Sequence, residues 1–209
     1  MLSQNKRHIK LILLGDMGVG KSSIIQRFSD DIFDQNIELT YNSNYIEKEV
    51  TIRGQNIILE LWDTAGQEQF RSITQIFVKN SRIIILVYDV CSKKSFDSLN
   101  YWYDFINKKL SSKRVLGLIG NKTDLIFEEN YEEEISFEAG KEYANKIGAQ
   151  FALVSAKESA VDIKELINKL LIEYLNSKDT SRYLSGSIKL DERSLSKEAV
   201  NKNECCIGK

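Results

Sequence analysis

The sequence predicts an α/β domain built on a six-stranded, mostly parallel sheet, and three observations predict it. Apolar, β-rich runs alternate with amphipathic segments of helical length along most of the chain, the pattern left when helices carry the chain from one strand to the next. The runs "RIIILVYDV" (82–90) and "RVLGLIGN" (114–121) are apolar at consecutive positions, as strands covered by helices on both faces require. A length of 209 residues with 42% hydrophobic and 28% charged residues suits one sizeable core and some excess chain.

The elements follow in order. "IKLILL" forms a first strand over 9–14, and the mixed segment after it a helix over 20–29. A polar stretch leads to a strand over 44–52. "TIRGQNIILELW" then turns back at Arg53-Gly54-Gln55-Asn56 into a strand over 56–62, with glycine supplying the turn. A helix is expected over 69–79 and a strand over 82–88. A long helix over 93–110 follows, whose "YWYDF" cluster (101–105) lays an aromatic face on the sheet. A strand over 114–120, a helix over 133–147 with Glu near its positive end, a strand over 150–154 and a helix over 160–176 complete the set. Residues 1–176 form the domain. From 177 to 209 the chain is mostly polar, holds no period and is expected to be a disordered tail.

Composition excludes several functions. The net charge is −1, so no global field draws the chain to nucleic acid. The N-terminus has no long apolar run and is not a signal peptide. "IIILV" (83–87) is far short of the roughly 20 residues that cross a bilayer. Cys91 stands alone and Cys205 and Cys206 are adjacent, which is no disulfide framework and suits a reducing, cytoplasmic setting. With His8 the sole histidine, no His-based catalysis or His-rich metal site is available.

The glycine-rich stretch from Gly15 to Ser23, "GDMGVGKSS", carries the first chemistry. Gly15-x-x-x-x-Gly20-Lys21-Ser22 matches the phosphate-binding loop, in which backbone N–H groups turn inward around a phosphate and the following helix adds its positive end. Asp16, Met17, Gly18, Val19 and Ser23 complete that cradle. Lys21 would reach the β- and γ-phosphates, and the Ser22 hydroxyl would ligate Mg²⁺. The loop alone does not choose between ATP and GTP.

"GNKTD" (120–124) makes that choice, at the carboxyl end of an apolar strand where open α/β sheets collect ligands. Asp124 can accept from guanine N1–H and N2–H₂, a donor pair adenine lacks, and a desolvated carboxylate left unpaired is costly. Asn121 would brace the loop, and the stem of Lys122 would lie over the ring. In "WDTAGQE" (62–68), Asp63 at a strand end suits a Mg²⁺ site, Gly66 offers an N–H to the γ-phosphate, and Gln67 can orient the attacking water. The Thr40 hydroxyl could complete the metal shell. Ser155, Ala156 and Lys157 would add backbone contacts to the guanine oxygen.

On these motifs, and on "WDTAGQEQFRSIT" (62–74), "LVYDV" (86–90) and the paired cysteines near the end, the chain resembles a small GTPase of the Ras superfamily, Rab family. The resemblance covers about 8–176 and the last five residues. It implies a P-loop GTPase domain that binds GTP and GDP with Mg²⁺ and hydrolyses GTP slowly unless an activating protein helps. It implies Phe33 against the guanine face, Thr40 on Mg²⁺, Gln67 in hydrolysis, and an effector face of Tyr45, Trp62 and Phe77. As partners it implies an exchange factor, a GTPase-activating protein, effectors, a prenyl transferase with its escort protein, and a GDP-dissociation inhibitor. It also implies a role in vesicular membrane trafficking. The chain departs from the family pattern in "YNSNY" after Thr40, where Asn42 replaces a glycine, in Gln69, in "IFVKN" (76–80) and in Met17. Arg71 lies in the second switch, where the family uses it structurally.

As a plain C-a-a-X box, "CIGK" is poor, because Gly is not aliphatic and Lys is an unusual last residue. As a Rab ending, "CCIGK" implies prenyl groups on Cys205 and Cys206. The tail carries seven Lys/Arg against five Asp/Glu over 177–209, so there is no polybasic patch and two lipids are needed for stable attachment. The expected setting is the cytosolic face of an intracellular membrane. Two other readings remain open: a GTP-binding scaffold with little hydrolysis, and a small-molecule P-loop kinase.

Overall fold

The computed structural model describes residues 6–36, 44–64, 76–109, 114–127 and 135–191. Its strands are β1 (Arg7–Leu14), β2 (Asn44–Ile52), β3 (Gln55–Asp63), β4 (Ile83–Asp89), β5 (Val115–Asn121) and β6 (Gln150–Leu153). Its α-helices are α1 (Lys21–Asp30), α2 (Lys93–Asp97), α3 (Leu99–Lys109), α4 (Phe137–Ile147) and α5 (Val161–Asp191), with a 3₁₀ turn over Thr123–Phe127.

One six-stranded sheet runs in the order β2-β3-β1-β4-β5-β6. Only β2 and β3 pair antiparallel; every other pair is parallel. The order reverses at β1, whose neighbours are β3 and β4, so the carboxyl ends of β1, β3, β4 and β5 surround one crevice. In open α/β sheets that crevice is where ligands bind. The consecutive apolar runs behave as expected. Ile83 through Tyr88 of β4 are all fully buried, as are Leu11 through Leu14 of β1 to within 1%. A core under the sheet joins Ile12, Leu14, Leu86, Tyr88, Trp102, Phe105, Leu118, Tyr143 and Ile147.

Several boundaries differ from the sequence reading. The β2–β3 turn is tighter than expected: Arg53 (φ 50°) and Gly54 (φ 76°) are both left-handed, the backbone a two-residue hairpin needs to match strand twist, so β3 begins at Gln55. The helix expected over 93–110 is two helices. Ser92 caps α2 by accepting from Ser95 N–H, and α2 closes at Ser98, whose N–H and hydroxyl both bond the Lys94 carbonyl. Helix α4 begins at Phe137 because the Ser136 hydroxyl accepts from Ala139 N–H. Of the helix expected over 69–79, residues 69–75 lie outside the described residues and 76–78 are helical.

Helix α5 continues past 176 to Asp191. Within the domain it buries Ile163, Leu166, Ile167, Leu170 and Leu171, the spacing of one apolar stripe. Beyond that stripe the sequence has no proline and one interior glycine, Gly186, to end the helix. A second compact unit starts at Leu175.

Candidate functional site

The loop from Gly15 to Gly20 turns from the end of β1 into α1. Gly20 caps α1 with φ 94°, and a Cβ there would stand 2.2 Å from Asn121 Nδ2. A Cβ on Gly15 would stand 2.2 Å from the Val87 carbonyl oxygen. The loop is thus pressed against the ends of β4 and β5, and only glycine fits at these two contacts. Val19 is buried, Met17 is 51% exposed at the rim, and Ser22 and Ser23 are half-buried in the first turn of α1.

Lys21 is buried, and its Nζ donates to the carbonyls of Gly15 at 3.0 Å and Asp16 at 2.7 Å. Burial pushes its pKa down to about 8, against the opposing charges of Asp63 and Asp16. Ser22 Oγ donates to Asp63 Oδ2 at 2.6 Å. A hydroxyl and a carboxylate side by side beside the phosphate loop are hard oxygen donors, the set that suits Mg²⁺. The Thr64 hydroxyl donates to the Leu13 carbonyl at 2.7 Å and fixes the end of β3 against β1.

At the other end, Asn121 is 1% exposed, and both of its side-chain polar atoms are bonded. Its Nδ2 donates to the Val19 carbonyl at 2.9 Å, and its Oδ1 accepts from Ala156 N–H at 3.2 Å. One amide therefore joins the phosphate loop to the segment 155–157. Asp124 Oδ1 accepts from Ser155 Oγ at 2.6 Å, and Lys157 Nζ stands 3.7 Å from Oδ2. Lys122 is left-handed (φ 69°), and its Nζ pairs with Asp89 Oδ2 at 2.8 Å at the end of β4. Asn121, Lys122, Asp124, Ser155, Ala156 and Lys157 are thus brought together beside the phosphate loop.

Two side chains that the sequence reading left without a role reach this frame. Trp102, expected only to face the sheet, is 1% exposed and donates from Nε1 to Asp16 Oδ1 at 2.9 Å. The signal was there, since a buried indole N–H needs an acceptor. Arg27 on α1 donates to the carbonyls of Ala156 and Lys157, each at 2.7 Å. No short-range pattern marks that contact, because its partners lie 129 and 130 residues away.

Tyr45, Trp62 and Phe77 also assemble. Tyr45 stacks on Trp62 at 5.0 Å, and Trp62 meets Phe77 at 5.4 Å. Lys10 Nζ lies 3.7 Å from the Trp62 ring centroid, a cation–π contact. Its pKa is lowered by burial. Phe33 is half-buried on the segment leading away from α1. Thr40, Gly66, Gln67, Cys205 and Cys206 lie outside the described residues, as do Asn42, Gln69 and Arg71.

An open sheet with a phosphate-loop sequence at the end of β1 and Asn-Lys-x-Asp at the end of β5 defines a P-loop nucleotide-binding protein. The model of the Ras family matches residues 10–176. Ras-related protein RabC of Dictyostelium discoideum is 35% identical over 199 residues, covering 94% of this chain and 96% of that one. Ras-related protein Rab-12 of Mus musculus is 39% identical over 168 residues, covering 80% and 67%. GTP-binding protein ypt2 of Schizosaccharomyces pombe is 38% identical over 170 residues, covering 81% and 82%. The chain belongs to the Ras family, as a small GTPase of the Rab type.

Proposed function

We propose that this protein is a GTP/GDP switch whose two nucleotide-binding ends are the cradle from Gly15 to Ser23 and the group Asn121, Lys122, Asp124 and Ser155–Lys157. One observation carries the reading: the buried Asn121 amide bonds both to Val19 in the phosphate loop and to Ala156 in the other segment. The two ends therefore keep a fixed spacing. Asp124 reads the guanine edge, Phe33 covers the ring, and Lys21 binds the β- and γ-phosphates. Ser22, Asp63 and Thr40 would hold Mg²⁺, which offsets phosphate charge when bound.

Hydrolysis needs a water in line with the γ-phosphate, oriented by Gln67, while Lys21 and backbone N–H groups, Gly66 among them, take up developing charge. The rate alone is slow, and an activating protein speeds it. The γ-phosphate orders both switches, effectors bind the ordered state over Tyr45, Trp62 and Phe77, and an exchange factor resets it. With purified full-length protein and magnesium, GTP is expected to bind about 10³-fold or more tighter than ATP. Gln67→Leu is expected to leave GTP affinity unchanged and slow single-turnover hydrolysis about tenfold. Equal ATP binding would point instead to a phosphate-transfer enzyme without base choice. A rate unmoved by Gln67→Leu would point to a scaffold.

The Rab type acts in vesicular membrane trafficking, and this switch is placed there by membership. Among the described residues no helix is long and apolar enough to cross a membrane. Attachment is assigned to prenyl groups on Cys205 and Cys206, added by a prenyl transferase with its escort protein and shielded by a GDP-dissociation inhibitor. Two prenyl chains give lasting attachment where one is marginal. Protein prenylated in a cell extract should pellet with vesicles, and the double variant Cys205→Ser, Cys206→Ser should stay in the supernatant. Pelleting of both would remove the lipid anchor from the account.

A further inference from the structure

The guanidinium of Arg27 is spread over two parts of the molecule that sequence distance separates. Nε donates to the Ala156 carbonyl and Nη2 to the Lys157 carbonyl, both at 2.7 Å. Nη1 donates to the carbonyl of Asp31 at 2.8 Å and to its Oδ1 at 3.2 Å. The Arg27 side chain is only 13% exposed, and its fork is engaged on three residues. Planar, fixed donors of this kind set direction as well as distance, which a lysine ammonium does not do.

The segment held at Ala156 and Lys157 is also the one that positions the base-reading groups. Ser155 Oγ bonds Asp124 Oδ1, Lys157 Nζ approaches Asp124 Oδ2, and Ala156 N–H bonds Asn121 Oδ1. Arg27 itself projects from α1, the helix whose first turn carries Lys21 and Ser22. We infer that Arg27 is a positioning residue for guanine selectivity: it anchors the 155–157 segment to the phosphate-binding helix, so that Asp124 meets the base at the right distance from the phosphates.

This inference rests on the guanine-nucleotide reading above and assigns Arg27 no contact with the nucleotide. The anchor bears most directly on the base end, because the groups that accept from Arg27 are the Ala156 and Lys157 carbonyls and Asp31, none of them in the glycine loop. Loss of the anchor should weaken nucleotides that use the base end and spare those held by phosphate only.

The test measures GDP and ADP affinity in magnesium by displacement of a fluorescent GDP from the full-length protein. Arg27→Ala is expected to lower the GDP:ADP affinity ratio about tenfold, the order expected when charge-assisted hydrogen bonds fixing a binding loop are lost, with ADP affinity unchanged. Arg27→Lys keeps the charge but offers one ammonium where two carbonyls need separate donors, so its ratio should also fall. That variant decides the matter if the alanine protein does not fold. A merely structural role would weaken GDP and ADP together and leave the ratio alone, because both ligands sample the same folded fraction. A ratio unchanged in the lysine variant overturns the inference, and absence of any GDP preference in the wild type overturns the guanine reading instead.

Discussion

Asp124→Asn is expected to lower GTP and GDP affinity about 10²- to 10³-fold, the order expected when two hydrogen bonds to a charged carboxylate are lost. The carboxylate can accept from two guanine N–H groups, whereas the asparagine amide has one acceptor and presents a donor where guanine also donates. Its surroundings sharpen the loss. Asp124 Oδ1 is already set by Ser155 Oγ at 2.6 Å, so the side chain cannot turn away without breaking a second bond. The same substitution should raise affinity for xanthosine diphosphate, because xanthine carries an oxygen where guanine has N2–H₂. Calorimetry with GDP and xanthosine diphosphate checks both. An unaltered GDP affinity would show that Asp124 does not face the base.

Lys21→Met has the second large effect, and it runs in opposite directions with and without nucleotide. Removing the ammonium takes charge-assisted bonds from the phosphates and should cut GTP and GDP affinity about 10²- to 10³-fold. In the nucleotide-free protein the same ammonium is a buried charge, with its pKa pushed from 10.5 to about 8. That shift corresponds to an order-of-magnitude penalty of about 3 kcal/mol at pH 7, where the group is protonated both folded and unfolded. The sign follows from the lowered pKa. Between pH 8 and 10.5 the unfolded chain holds the proton that the folded one has released, so stability rises across that window and the penalty is gone above it. Methionine fills the same space without charge but leaves the Gly15 and Asp16 carbonyls to water. The nucleotide-free variant should gain about 1–2 kcal/mol at pH 7 and lack the rise above pH 8. Urea unfolding with and without GDP measures both. A nucleotide-free variant less stable than wild type would show that the loop carbonyls, not the buried charge, dominate at Lys21.

Much of the fold was readable in the linear chain because its signals are local. Consecutive apolar residues in "IIILV" mark a strand buried on both sides, and Ile83 through Val87 are indeed fully buried in β4. Glycine and lysine at fixed offsets mark the phosphate loop without knowledge of anything distant. What misled was also local. The 93–110 segment has continuous helical character, yet it divides at Ser98, whose N–H and hydroxyl both bond the Lys94 carbonyl.

The chemical alphabet of the site belongs to the sequence alone: a phosphate loop, a metal-suited Asp63, an Asn-Lys-x-Asp carboxylate and paired terminal cysteines, each recognisable from its neighbours. Tertiary structure decided how those parts are held. Asn121 bonding both Val19 and Ala156, Trp102 reaching Asp16 and Arg27 reaching Ala156 and Lys157 all join residues 35 to 130 positions apart. Such contacts depend on the order in which strands lie side by side. No window of sequence short enough to read by period or motif contains both partners.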